Sequence, residues 1–124
     1  MYIYYDSKTG NVERFINKIK KIKENWIFIK INSNLKIENE GHLIIFTTKI
    51  GEISETTKAF LSNGENKNYI KSVSSSGNMN WGIYFALAAD KVSEEFNIPI
   101  GMKFELSGTQ IQVNEYIKYV EEIG

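Results

Sequence analysis

Residues Met1 to Val12 read MYIYYDSKTGNV, a strand, a turn and a helix start packed into one short stretch. The apolar run Tyr2 to Tyr5 breaks into Asp6-Ser7-Lys8-Thr9-Gly10-Asn11, and apolar residues at helical spacing follow at once. That order makes a seat for an anion. The first N–H groups of a helix lack intrahelical partners and carry a partial positive charge. Ser7 and Thr9 add hydroxyl donors, and Gly10 lets the backbone approach a ligand closely. No Gly-Lys-Ser/Thr ends the turn, so it is not a Walker A loop. Gly10 stands alone, so it is not a Gly-x-Gly-x-x-Gly turn either. What remains is a phosphate nest for a mononucleotide-sized ligand.

Beyond this stretch, strand and helix patterns alternate. Asn11 to Lys23 is predicted as a helix with Val12, Phe15, Ile16, Ile19 and Ile22 on one face. Trp26 to Ile31 reads as a second strand, and Leu43 to Phe46 as a third, apolar enough to be buried on both faces. Ser54 to Leu61 reads as a short helix with Ser54 as N-cap, ended by Asn63-Gly64. Tyr69 to Ser74 is a fourth strand, Trp81 to Phe96 the longest helix, Gly101 to Leu106 a fifth strand and Ile111 to Ile123 a last helix. Alternation of this kind implies an α/β three-layer sandwich: a five-stranded parallel sheet with helices on both faces. With right-handed crossovers, the expected strand order is the flavodoxin-like 2-1-3-4-5, which binds ligands beyond the carboxyl ends of the strands. The link Asn32 to Gly41 is too short and irregular for a good helix, so one crossover should lack one.

Composition narrows the function. The chain has 124 residues, which suits one domain, 1–124. Its 15 basic and 15 acidic residues cancel, so neither nucleic acid nor an anionic membrane is favoured as partner. Lys18, Lys20, Lys21 and Lys23 cluster on the first helix and are expected to form a solvated face. No apolar stretch is long enough to span a bilayer and no signal peptide precedes the first strand, so a cytoplasmic location is expected. The chain contains no cysteine, which excludes disulfides, Cys-based metal sites and the thiolate chemistry of phosphatases and arsenate reductases with this layout. His42 is the only histidine and is expected at a strand edge or in solvent rather than on a metal. No metal site is expected.

Three further loops should meet the phosphate nest. Strand three runs into Thr47-Thr48-Lys49-Ile50-Gly51-Glu52-Ile53, strand four into Ser74-Ser75-Ser76-Gly77-Asn78-Met79-Asn80-Trp81-Gly82, and strand five into Glu105-Leu106-Ser107-Gly108-Thr109. All are small, polar and glycine-containing, as backbone approach to a heterocycle requires, although such residues also favour turns for their own sake. Trp81 either covers one face of a flat ring, worth ~1 kcal/mol beyond burial, or anchors the start of the next helix. A phosphoacceptor receiver domain shares the topology but needs an acidic residue where Thr47 and Thr48 stand.

SGNMNWG at Ser76 to Gly82, followed by an Ala-rich helix and by Lys103 to Thr109 (KFELSGT), resembles the NrdI family, the flavodoxin-like activators of class Ib ribonucleotide reductase. YYDSKTGNVERF at Tyr4 to Phe15 is similar to that family's phosphate loop and first helix, and the likeness extends over essentially the whole chain. The resemblance implies noncovalent FMN. Ser7, Lys8, Thr9, Gly10, Asn11 and Val12 would hold its 5′-phosphate, mainly through backbone N–H groups. Thr47, Thr48 and the loop to Gly51 would border the N5 and O4 edge of the ring. Ser76, Gly77, Asn78, Asn80, Trp81 and Gly82 would frame the ring, and Leu106 to Gly108 would close the site.

The resemblance also implies a redox partner rather than a turnover enzyme. Reduced FMN would react with dioxygen, and a superoxide-type oxidant would pass to the dimanganese-tyrosyl radical site of the reductase small subunit, with a separate flavin reductase or other donor supplying electrons. One departure from the family pattern is Lys49, where a glycine usually stands in Thr-Thr-Gly-x-Gly. Lys49 either stiffens the N5-edge loop and brings a cation near the ring, or points to solvent and leaves the loop's freedom to Gly51. Two rival functions are a minimal electron-transfer flavodoxin with another acceptor, and a flavin-free docking protein.

Overall fold

The computed structural model describes residues 1–48 and 51–124, and only the backbone of residues 83 and 84. Four helices and five strands follow in the order β1 (Tyr2–Tyr5), α1 (Asn11–Ile22), β2 (Ile27–Lys30), β3 (Gly41–Phe46), α2 (Glu55–Ser62), β4 (Ile70–Gly77), α3 (Ala88–Phe96), β5 (Ile100–Glu105) and α4 (Gln110–Ile123). The strands form one sheet in the order β2-β1-β3-β4-β5, and every neighbouring pair is parallel, as expected. Side chains alternate across the sheet. Tyr4, Leu43, Ile45 and Val73 pack with Phe60 of α2 and Ala89 and Val92 of α3. Ile3, Tyr5, Ile44 and Phe104 pack with Phe15, Ile16 and Ile19 of α1 and Val113, Tyr116 and Val120 of α4. Ile22, expected on the buried face of α1, is exposed, because the helix has run past the sheet by then.

The helixless crossover is held by side chains, with Tyr4 OH donating to Asn39 O at 2.7 Å, Asn63 to Leu35 O at 3.2 Å, and Asn66 making three bonds. Asn66, buried after α2, accepts from Ile37 N–H at 2.9 Å and donates to Leu35 O at 2.7 Å and to Phe60 O at 2.8 Å. An amide that presents one acceptor and two donors thus replaces the backbone bonds a helix would have supplied.

Two expectations for the β4 region are corrected. β4 continues through Ser75 and Ser76 to Gly77, residues that read as loop because serine favours turns. Their hydroxyls are used instead inside the fold. Ser74 Oγ accepts from Met102 N–H at 2.9 Å where the β4–β5 register shifts, so the irregular ladder keeps its bond. The long helix from Trp81 to Phe96 is also not formed. Met79–Tyr84 makes 3-10 turns, Gly82 and Ala86 have φ of 57° and 49°, and the α-helix starts only at Ala88. Gly77 explains the break. A Cβ on Gly77 would stand 2.4 Å from Ala86 N, so the chain at Ala86 lies directly against β4 before the helix turns away. The longest helix is α4.

The lysines of α1 are not simply a solvated face. Lys18 Nζ donates to Gly108 O at 2.6 Å and Ser107 O at 3.2 Å, Lys20 lies over the Phe28 ring, and Lys23 pairs with Glu121 at 2.7 Å. His42 is neither at an edge nor in solvent. It is fully buried in β3 with Nδ1 2.7 Å from Ser72 Oγ, and Nε2 has no hydrogen-bond partner among the described residues. Burial first, then the charges of Lys71 and the N-terminal ammonium, push its pKa down to about 4.

Two outcomes follow from this packing. Asn66→Ala strands the buried Ile37 N–H and removes one of the two bonds to each of Leu35 O and Phe60 O. It should destabilise the fold by about 2 kcal/mol, read as a fall of roughly 5–10 °C in Tm. His42 is neutral when folded and takes a proton more readily when unfolded. Its contribution is therefore complete above pH ~6.5 and is lost as the pH falls towards 4. Urea unfolding should show stability dropping by up to ~1.4 kcal/mol per pH unit across that window from this residue. His42→Leu should flatten the decline.

Candidate functional site

The carboxyl ends of β1, β3, β4 and β5 open onto a cleft of about 510 Å³, within the range of small-ligand sites. Lys8 and Thr9 line it from the β1–α1 turn, Asn11 from the first position of α1, Phe46, Thr47 and Thr48 from the end of β3, Ser76 and Gly77 from the end of β4, Trp81 from the 3-10 segment and Leu106 from the end of β5. Loops far apart in sequence therefore converge as expected. Lys8 is the one charged side chain among these lining residues.

What distinguishes the cleft is how helix N-termini are satisfied around it. Ser54 caps α2 by accepting from Thr57 N–H, and Thr109 caps α4 in a reciprocal box with Gln112. In α3 the amides of Ala88 and Ala89 donate to Thr47 Oγ1 at 3.3 Å and to Ser75 Oγ at 3.2 Å. α1 has no such cap. Its N-cap is Gly10, at φ 93°, with no side chain to offer. Ser7 Oγ takes only Glu13 N–H, at 3.3 Å, and the amides of Asn11 and Val12 carry no hydrogen bond to any described residue. The first two amides of α2 and α4 are open as well, but only the start of α1 lies on the cleft, through Asn11.

Other expected site residues act at one remove. Ser7 lies in an adjoining groove of about 730 Å³ that shares Lys8, Phe46 and Thr48 with the cleft. The Val12 side chain is buried in the core beneath α1, so only its amide is available to a ligand. Asn78 Oδ1 accepts from Asn80 N–H and Asn78 O from Trp81 N–H, each at 2.9 Å, which seats the indole. Gly82 has open space where a side chain would be. Gly51, at φ 77°, donates to Thr48 O, and Thr48 N–H donates to Glu52 O, closing the turn after β3. Gly108 packs on Phe15 so closely that a Cβ would stand 2.5 Å from Cδ1, and it touches no part of the cleft. Lys49 lies outside the described residues.

Sequence reading missed two residues here. Phe46 ends β3 in step with Ile44, and that parity already aims it at the α1 side of the cleft. Asp6 is buried. Its carboxylate accepts from Thr57 Oγ1 at 2.8 Å and from Ser54 Oγ, tying the β1 turn to the start of α2. Its signal was an acid at a strand end with a Ser-x-x-Thr helix start elsewhere. Among the described residues no group of three or more His, Cys, Asp or Glu side chains could hold a metal, and no helix is long and apolar enough to cross a membrane.

Comparison with known proteins fits this geometry. The chain is 38% identical over 121 residues to Protein NrdI of Bacillus licheniformis, covering 98% of this chain and 88% of that one. It is 40% identical over 119 residues to the SPbeta prophage-derived protein NrdI of Bacillus subtilis, covering 96% and 90%. Among solved structures, a short-chain flavodoxin associated with a PDU bacterial microcompartment superposes with a TM-score of 0.74 at 20% identity, covering 97% of this chain and 93% of that one. Oxidised flavodoxin 2 from Bacillus cereus superposes with a TM-score of 0.69 at 19% identity, covering 98% and 97%. At those identities the structural likeness speaks for the fold alone. The NrdI flavodoxin-like profile matches residues 3–118. On that match and the two NrdI relatives, the chain belongs to the NrdI flavodoxin-like family, whose cofactor is FMN.

Proposed function

We propose that the cleft holds FMN noncovalently and that the chain activates a class Ib ribonucleotide reductase through its small subunit. The observation that carries this reading is the uncapped N-terminus of α1, opening onto a cleft lined by the half-buried indole of Trp81. The residues fit the group. The free amides of Asn11 and Val12, with Lys8 and the hydroxyls of Ser7 and Thr9, suit a phosphate dianion. Trp81 suits one face of a flat ring, and Ser76, Gly77, Thr47 and Thr48 offer small polar edges beside it. When bound and reduced, FMN would supply an electron to dioxygen, giving a superoxide-type oxidant for the dimanganese-tyrosyl radical site of the partner.

The protein's own part is to bind, orient and leave an edge open. α1 neutralises the phosphate through its dipole and amides. Phe46 and Leu106 add apolar surface to a cleft that Trp81 covers from one loop only. Electron-carrying flavodoxins usually enclose the ring between two aromatics and dock through an acidic surface, whereas this chain carries 15 basic and 15 acidic residues. The balanced charge favours an activator over a carrier that docks on basic partners.

The test is to load the protein with FMN, reduce it without oxygen, and add dioxygen with manganese-loaded class Ib small subunit. A tyrosyl-radical signal well above that given by free reduced FMN is expected. A protein that retains FMN but adds nothing to the free flavin overturns the activator reading and leaves the electron carrier. A protein that does not retain FMN overturns both in favour of a docking-only role. Trp81→Ala should weaken FMN by about 1–2 kcal/mol, roughly five- to thirtyfold in Kd by fluorescence titration, with the fold's Tm little changed.

A further inference from the structure

We propose that Arg14 is a positioning residue for the phosphate end of the cleft and sets its preference for a phosphorylated flavin over riboflavin; this rests on the FMN reading above. Arg14 stands one turn into α1, yet its guanidinium reaches back to the helix start. Nε donates to Ser107 Oγ at 2.8 Å, and Nη2 donates to Asn11 Oδ1. Ser107 Oγ in turn donates to Asn11 Oδ1 at 3.1 Å. The three side chains close a ring in which each donor and acceptor role is fixed.

The ring has a chemical consequence at Asn11, which lines the cleft. An amide oxygen that accepts from both Arg14 and Ser107 has both lone pairs engaged, so the amide cannot flip. Only its NH2 group remains to meet a ligand, and that group can only donate. Asn11 therefore presents to the cleft a donor suited to an anion, beside its own free backbone amide.

Charge adds to the geometry. Arg14 Nη1 has no hydrogen-bond partner among the described residues and lies against the phosphate turn, 2.9 Å from where a Cβ on Gly10 would stand. Gly10 is required for its φ of 93°, and a side chain there would also push the guanidinium aside. A delocalised cation held in a fork at this point favours a dianion and is indifferent to a neutral hydroxymethyl end. Lys18 provides the contrast. It binds the carbonyls of Ser107 and Gly108 and so holds the same loop, without reaching Asn11.

The experiment measures Kd for FMN and for riboflavin by flavin fluorescence, on the unmodified protein and on Arg14→Gln, Arg14→Lys and Lys18→Met. Arg14→Gln should weaken FMN about ten- to hundredfold while riboflavin stays within twofold, and the dependence of FMN binding on salt should flatten. Arg14→Lys keeps the charge without the fork and should recover part of the preference. Should Arg14→Gln fail to fold, Arg14→Lys decides alone, with a severalfold loss for FMN only. Lys18→Met should lower Tm and leave the ratio of the two affinities unchanged. Equal losses for both flavins, or an Arg14→Gln protein that binds FMN normally, would make Arg14 a strut and overturn the proposal. An unmodified protein that binds neither flavin instead overturns the FMN reading on which it stands.

Discussion

Each helix that begins near the carboxyl edge of the sheet brings unpaired N–H groups, which need acceptors from the chain, from water or from a ligand. This constraint organises the molecule. α2 and α4 solve it with their own N-cap hydroxyls. α3 solves it with hydroxyls borrowed from the strands beneath, Thr47 from β3 and Ser75 from β4. α1 alone has an N-cap without a side chain, Gly10, and the amides of Asn11 and Val12 carry no hydrogen bond to any described residue. What sets the start of α1 apart is its place: of the open helix starts, only this one lines the cleft, through Asn11. The need for acceptors also explains the serines of β4. A central strand of valines would bury more apolar surface, but could neither seat α3 nor preserve the ladder where the register shifts at Ser74.

Close approach is the second theme. At Gly77 the strand end meets the backbone of Ala86, at Gly108 the last loop meets Phe15, and at Gly41 a Cβ would fall 2.4 Å from Tyr2 O. The first two contacts draw loops of β4 and β5 inward, and Leu106 N–H bonded to Gly77 O at 2.9 Å joins them across the cleft floor. Glu105 then caps the 3-10 segment by accepting from Met79 N–H at 3.0 Å, so the loop bearing Trp81 is fastened to the end of β5. The indole is held by loops that are themselves held by backbone contacts.

The parts legible in the sequence are those governed by short-range pattern. Strand order, the crossover without a helix and the loops that converge all follow from periodicity, chain length and turn chemistry. The failures share a cause: tertiary contacts overrode a local preference. Trp81 to Phe96 has adequate helical spacing, yet packing of Gly77 against Ala86 forbids a continuous helix there. His42 suggests a surface, yet it is buried inside the sheet with its Nδ1 bonded to Ser72 Oγ. In the cleft, the turn after β1 and its open helix start were visible because their chemistry is local to one segment. Phe46 and Asp6 were not, since one depends on strand parity and the other on partners some fifty positions away.

Asp6 shows how a buried carboxylate can stand next to an anion seat. Two unit charges of like sign a few ångströms apart would repel strongly in a poorly solvated site. The carboxylate instead faces α2: it accepts from the hydroxyls of Ser54 and Thr57, at the N-cap and within the first turn of that helix. The positive end of α2 thereby answers Asp6, and the positive end of α1 stays free. Two helix starts on opposite faces of the sheet divide two negative charges between them. The same bonds couple the two turns mechanically. Ser54 follows directly on the turn after β3, where Thr48 and Glu52 bond to one another, so any displacement of that turn is felt at Asp6 and hence at Ser7. Under the FMN reading proposed above, these turns would lie at the ring edge and at the phosphate. Asp6 is the residue through which a change at one end of the ligand would reach the other.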